Sequence, residues 1–139
     1  MKVKDVMHTG VVSVSPDARL AQIARKMRDE DIGAVPVVEN DHLIGMVTDR
    51  DITCRGLADG HDIARLTARD VMSMPLLWCR SEDDVAAAIH LMEESKIRRL
   101  PVLNEKKHMV GMLTLGDISQ KVSRATAGEA IQSLSAHHP

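Results

Sequence analysis

The sequence predicts an α/β (α+β) protein built from two copies of one strand–helix–strand–strand–helix unit, and two repeated phrases with their spacing predict it. GMVTDRDI at 45–52 returns as GMLTLGDI at 111–118, 66 residues later. DVM at 5–7 returns at 70–72, an offset of 65, and at that offset Ala21, Met27, Ile32 and Pro36-Val37 fall on Ala86, Met92, Ile97 and Pro101-Val102. One extra residue in the turn Asn104–His108 moves the offset to 66. A match over nearly all of 3–54 and 68–120 is duplication of a whole supersecondary unit.

Each copy reads alike. Val11–Val14 suits a short strand, with Ser15 placed to cap a helix and Pro16 at its first position. Leu20, Ile23, Ala24 and Met27 form an apolar stripe at helical spacing. In the second copy Leu76–Cys79 is the strand, Ser81 and Asp84 suit a capping box, and Val85, Ala88, Ile89 and Met92 form the stripe. AVPVVE and RLPVLN are branched apolar runs suited to strands, and Asn40-Asp41 or Asn104 to Lys107 marks a polar hairpin turn. LIGMVT and MVGMLT are the partner strands, and Thr-x-x-Asp opens a second helix. The expected division is 1–58 first repeat, 59–67 linker, 68–123 second repeat and 124–139 tail. Gly56 to Thr67 reads as a linker with a partial helical turn; only Ile131 and Leu134 suggest an amphipathic turn in the tail. One half cannot cover its own sheet, so the two are expected to pack sheet to sheet with pseudo-twofold symmetry.

Composition narrows the partners. The chain has 139 residues, a formal net charge of -2, no Phe or Tyr and one Trp, Trp78. Without a basic field or aromatic platforms, nucleic acid is not an expected partner. No run approaches a membrane span and the start lacks a signal-peptide apolar region, so the expectation is a cytoplasmic protein. Cys54 and Cys79 lack metal-type spacing and read as buried apolar groups, with a metal or redox switch through the pair as the alternative. His137-His138 suit either a tag or the native end and are left out of site reasoning.

Thr-x-x-Asp at a strand-to-helix junction has two readings. The Thr oxygen accepts an orphan amide proton while the carboxylate reaches back to the cap amide, a helix capping box. The same carboxylate has two oxygens able to accept both hydroxyls of a ribose at a helix start that serves as a ligand edge. Asp repels phosphate, so phosphates belong near cations, and Arg98-Arg99 before Leu100-Pro101 supply guanidinium forks.

The duplicated pattern, DVM followed by S-P-D, a Pro-Val strand and then Gly-x-x-Thr-x-x-Asp-Ile, resembles the cystathionine β-synthase (CBS) domain family, two units making a Bateman module. The resemblance spans roughly residues 1–122. It implies two βαββα units, often dimerising, that bind adenosine-containing ligands (AMP, ADP, ATP, S-adenosylmethionine or NAD) in two clefts and act as regulatory sensors toward an unknown target protein. Carried over by residue, it implies that Thr48 and Asp51 meet Leu76, Leu77, Arg98, Arg99 and Pro101, with Arg50 leaning toward the shared centre. Thr114 and Asp117 would meet Thr9, Gly10, Val11, Ala34, Val35 and Pro36. Only the first cleft has the basic pair, so it should prefer phosphorylated nucleotides; the second has Gly33-Ala34 there and should take a neutral or cationic adenosine derivative, or stay empty.

Nothing in the sequence supplies a catalytic motif: there is no Gly-rich phosphate loop, no Gly-x-Ser-x-Gly and no His-Glu-x-x-His. His8, His42, His61, His90 and His108 are scattered, with His90 expected as a packed or edge histidine. The expectation is therefore a non-enzymatic adenosine-ligand sensor without a catalytic cofactor or metal, and a homodimer. The alternative is a ligand-free, stress-related structural or dimerisation module whose Thr-x-x-Asp motifs only cap helices.

Overall fold

A computed structural model describes residues 1–74, 77–122 and 132. The weak amphipathic turn expected around Ile131 and Leu134, the His137-His138 pair and Leu76 lie outside the described residues. The chain forms two compact units: unit 1 joins Met1–Val11 to the chain from Leu77 onward, and unit 2 is Val12–Leu76. Each unit thus takes its DVM segment from the other repeat. The content is mixed helix and strand with two small sheets.

In unit 2, α2 (Leu20–Glu30) leads to β1 (Ala34–Glu39) and β2 (His42–Thr48), an antiparallel pair. Asn40 and Asp41, at φ of 52° and 65°, make the two-residue turn that the twist of a hairpin favours. A short helix, α3 (Asp49–Asp51), continues into a wider π-helical stretch, Ile52–Leu57; a 3₁₀ turn, Ile63–Arg65, and α4 (Ala68–Val71) follow. Leu20, Ile23, Val35, Val37, Val47 and Val71 pack together in the core. Ala24, expected in the stripe, is exposed.

Unit 1 repeats the plan. α1 (Val3–Val6) carries the first DVM, and β3 (Cys79–Arg80) runs parallel to β4 (Arg99–Leu103), which pairs antiparallel with β5 (Met109–Thr114). α5 (Val85–Ser95) buries Val85, Ala88, Ile89 and Met92, the expected stripe, and α6 (Leu115–Lys121) follows β5. α2 and α5 both end on a left-handed residue, Asp31 and Lys96, which are 65 positions apart.

Three local expectations are corrected. The strand expected at Val11–Val14 is reduced to one bridge, Val14 to Val37, at the positions where Cys79 meets Val102 in unit 1. The Leu76–Cys79 strand is confined, among described residues, to Cys79–Arg80. Neither proposed helix cap forms. Ser15 accepts from Ala18 N–H through its backbone, placing Pro16 inside a tight turn, and α2 starts at Leu20. Asp83, not Asp84, folds back, accepting Arg80 N–H at 2.9 Å, and α5 starts at Val85 with no side-chain cap. Pro fits the second residue of a turn as well as the first of a helix, because both hold φ near −65°.

The repeated Gly-Met and DVM phrases have one packing cause. A Cβ on Gly111 would lie 2.6 Å from the Met7 sulfur and 2.8 Å from the His8 carbonyl oxygen; one on Gly45 would lie 2.5 Å from the Met72 sulfur. The methionine of each DVM closes over the glycine of its unit's hairpin, so a side chain at either position forces its neighbours to shift, and at Gly111 that includes the backbone. No described helix is long and apolar enough to cross a membrane.

Candidate functional site

Both Thr-x-x-Asp phrases form the capping box. In unit 2 the Asp51 amide donates to Thr48 Oγ1 at 3.1 Å, and the Thr48 amide donates to Asp51 Oδ2 at 2.9 Å. In unit 1 the Asp117 amide donates to Thr114 Oγ1 at 3.1 Å, while the Thr114 amide and hydroxyl donate to Asp117 Oδ2 at 2.9 and 3.0 Å. Each box fixes a carboxylate at the mouth of a hairpin, because the strand ends on the Thr and the helix begins at the next residue.

What surrounds the two carboxylates differs. Asp51 is the one buried charged side chain among the described residues. Its Oδ1 accepts from the Ser73 hydroxyl at 3.2 Å and lies 3.9 Å from Arg55 Nε. On Asp117, Oδ2 also meets His8 Nδ1 at 2.8 Å, while Oδ1 accepts from no described residue. An ionised carboxylate only accepts, so the proton of that contact sits on the imidazole Nδ1. His8 and Ser73 are the residues after each DVM, 65 positions apart, and both are bridged through the backbone to the methionine of the Gly-Met phrase, Met112 and Met46.

The other expected site residues are distributed by unit. In unit 2, Ala34 lies directly opposite Thr48, Val35 opposite Val47 and Pro36 opposite Met46. Arg50 is exposed, and its amide donates to Asp49 Oδ1. In unit 1, Arg99 lies opposite Thr114 and Pro101 opposite Met112, and the Arg98 carbonyl accepts from the Leu115 amide. Leu77 packs against the unit 1 core; Thr9 and Gly10 are exposed, Val11 is half-buried, and all three share a unit with Thr114 and Asp117. The arginine pair therefore sits at the start of the strand beside the Thr114 cap.

Sequence reasoning missed His8, Ser73 and Arg55 as neighbours of the carboxylates. The signal was present: the offset that aligns the two DVM copies also aligns the residues that follow them. It missed a third Thr-x-x-Asp as well. Thr67 to Asp70 forms the same box before α4, with the Thr67 amide 2.8 Å from Asp70 Oδ2, but Asp70 is exposed. Burial, not the motif, separates Asp51 and Asp117 from an ordinary cap.

The remaining chemistry is quiet. Burial, with Asp83 nearby, pushes the Cys79 thiol up to about 12. Cys54, expected to be buried, is exposed because it lies on the solvent side of the π-helical stretch, and the two thiols belong to different units. Among the described residues no three His, Cys, Asp or Glu side chains are grouped to hold a metal ion.

The family model for the CBS domain matches residues 3–55 and 68–124. The CBS domain-containing protein YhcV of Bacillus subtilis is 38% identical over 134 residues, 96% of this chain and 94% of that one. Hypoxic response protein 1 of Mycobacterium tuberculosis is 36% identical over 118 residues, 84% of this chain and 82% of its own. The crystal structure of Hypoxic Response Protein I with two coordinated zinc ions superposes with a TM-score of 0.80 at 35% identity, covering 88% of this chain and 100% of that one. The CBS domain pair of MJ0100, solved with 5′-methylthioadenosine and S-adenosyl-L-methionine, shares the fold with a TM-score of 0.75 at 22% identity over 86% of this chain and 94% of its own.

Proposed function

The chain belongs to the CBS domain family, and from that premise we propose that it is a non-catalytic sensor of adenosine-containing ligands that reports ligand state to a partner protein. Asp51 and Asp117 accept the ribose hydroxyls, each held by its threonine, Thr48 or Thr114. Arg98 and Arg99 supply cationic groups for phosphate when the ligand carries it.

The observation that carries this reading is the second oxygen of each boxed carboxylate. The Thr amide engages Oδ2 in both units, which leaves Asp117 Oδ1 without a described donor and Asp51 Oδ1 with only a 3.2 Å neutral hydroxyl and a 3.9 Å arginine. A diol hydroxyl that reaches either Oδ1 replaces weak contacts or none. Binding of methylthioadenosine and S-adenosyl-L-methionine by the MJ0100 pair is consistent with adenosine as the common ligand part.

A thermal-shift screen with adenosine, AMP, ADP, ATP, S-adenosylmethionine and NAD tests it. A true ligand at one hundred times its dissociation constant adds about 2.7 kcal/mol of stability. The expected result is a shift with at least one of them that shrinks in Asp51→Ala or Asp117→Ala. Arg98→Ala with Arg99→Ala should weaken AMP relative to adenosine. The second reading, a ligand-free module in which the motifs only cap helices, is favoured by one observation: both boxes close fully on their own main chain, as the exposed Thr67–Asp70 box does. Absence of any shift across the screen would decide for it.

A further inference from the structure

We propose that His8 is a proton-operated gate on the Asp117 carboxylate, so that unit 1 takes up a neutral adenosine ligand less readily as the pH falls. The proposal rests on the reading that Asp117 grips ribose hydroxyls, and it concerns how that grip is regulated.

The imidazole is placed, not incidental. His8 exchanges two backbone hydrogen bonds with Met112, each at 3.0 Å, and the bare α-carbon of Gly111 leaves room for the His8 carbonyl. The side chain then reaches Asp117 Oδ2 at 2.8 Å, across 109 positions of sequence. It is 47% exposed, against 16% for the carboxylate, so solvent protons reach the ring while the pair itself is partly shielded. Charged groups on the elements around it are Asp117 and Lys121 on α6, Arg99 on β4 and Lys4 and Asp5 on α1; β5 carries none. Among the described residues only Asp117 is bonded to the ring.

Oδ2 already accepts three donors, the Thr114 amide, the Thr114 hydroxyl and His8. A ribose that uses both carboxylate oxygens must displace the one donor that is not part of the box, which is His8. A neutral imidazole yields only its hydrogen bond to the carboxylate. A protonated one adds the attraction of opposite charges to that bond, and histidine is the side chain that changes charge between about pH 5 and 8. The equivalent group in unit 2 is Ser73, a hydroxyl 3.2 Å from Asp51 that carries no charge at any working pH. The two repeats therefore differ in proton sensitivity by a single aligned residue.

Calorimetry with adenosine, which stays uncharged across this range, tests the gate in an Asp51→Asn background where only the Asp117 site remains. The expected result is roughly three- to tenfold weaker binding at pH 5.5 than at pH 8. In Asp51→Asn with His8→Ser, which copies the other repeat, affinity should be flat with pH. In the same background, adding adenosine at pH 6.5 should move the His8 ring proton resonances toward the neutral form, by reciprocity of linkage. Binding that does not vary with pH, a pH effect that survives His8→Ser, or an unmoved His8 resonance would each overturn the gate while leaving adenosine sensing intact. Adenosine binding that persists in Asp117→Asn but is absent from Asp51→Asn would overturn it too. No binding to the wild-type chain by any adenosine compound would remove the sensor reading, and the gate with it.

Discussion

Met7 lies across Gly111 so closely that a methyl group on the glycine would come within 2.6 Å of the methionine sulfur and 2.8 Å of the next carbonyl oxygen. Gly45 under Met72 is the matching pair, but there all three nearest atoms belong to the flexible methionine side chain. Gly111→Ala must therefore displace backbone, whereas Gly45→Ala needs only a rotamer change. The expected cost is about 1–3 kcal/mol for Gly111→Ala, with Gly45→Ala toward or below the lower end of that range. Urea unfolding of the two variants gives the comparison; equal midpoints would mean that the His8 carbonyl moves freely.

The three boxes provide an internal control. Thr48→Ala, Thr67→Ala and Thr114→Ala each remove one side-chain cap and should each cost about 1 kcal/mol in stability. Only Thr48→Ala and Thr114→Ala should also weaken an adenosine ligand, because Asp70 is exposed and lies outside the proposed ribose grip. Thermal shifts with and without ligand separate the two effects. A ligand response in all three variants equally would point to a general loosening.

The double plan of the chain was readable because each apolar position recurs at a fixed offset, and because Thr-x-x-Asp has one local geometry wherever a strand meets a helix. Leu20, Ile23 and Met27, and their counterparts on α5, are buried as helical spacing demands. What stayed hidden were contacts made by segments far apart in sequence. His8 reaches Asp117 only after the first eleven residues leave their neighbours and join unit 1. Local ambiguity accounts for the misplaced helix starts, since Ser15-Pro16 has the chemistry of a turn and of a cap alike. The identity of the residue beside each carboxylate, His or Ser, was in plain sight, but its proximity was not.

The N-terminal segment of unit 1 is tied by Glu82, which accepts from Lys2 Nζ at 2.7 Å and Lys4 Nζ at 2.9 Å. Hydrogen bonds from Lys2 and then Lys4 hold the Glu82 carboxyl down to about 2 from an ordinary 4.5. A folded value below the unfolded one means stability that is fully present above about pH 4.5 and lost as the pH falls toward about 2. Lys2 is shifted upward by the same partner, so its contribution is present below 10.5 and fades as the pH rises beyond that value. Between pH 6 and pH 3 the wild type should lose more urea resistance than Glu82→Gln, and 1 M salt should narrow the difference, because the pair is exposed. Parallel losses in both proteins would show that the clamp is not coupled to folding.

Cys79 and Cys54 should behave as two different chemical groups. Cys79 is buried between α5 and β4 neighbours of the unit 1 core, and desolvation first, with Asp83 second, raises its thiol to about 12, so the thiolate that reacts with electrophiles is scarce. Cys54 is exposed. A maleimide at neutral pH should therefore label one thiol per chain in the native protein and two in denaturant, with Cys54→Ser abolishing the native reaction. The same shift has a stability consequence of definite sign. Unfolded, the Cys79 thiol ionises near the ordinary value of 9, but the folded chain keeps it protonated to about 12. Its contribution is thus complete below pH 9 and is lost progressively as the pH climbs through that interval. Cys79→Ala, which removes the titration, should flatten the decline in unfolding free energy between pH 9 and 11 relative to wild type. An unchanged slope would mean that the thiol is not held neutral by the fold.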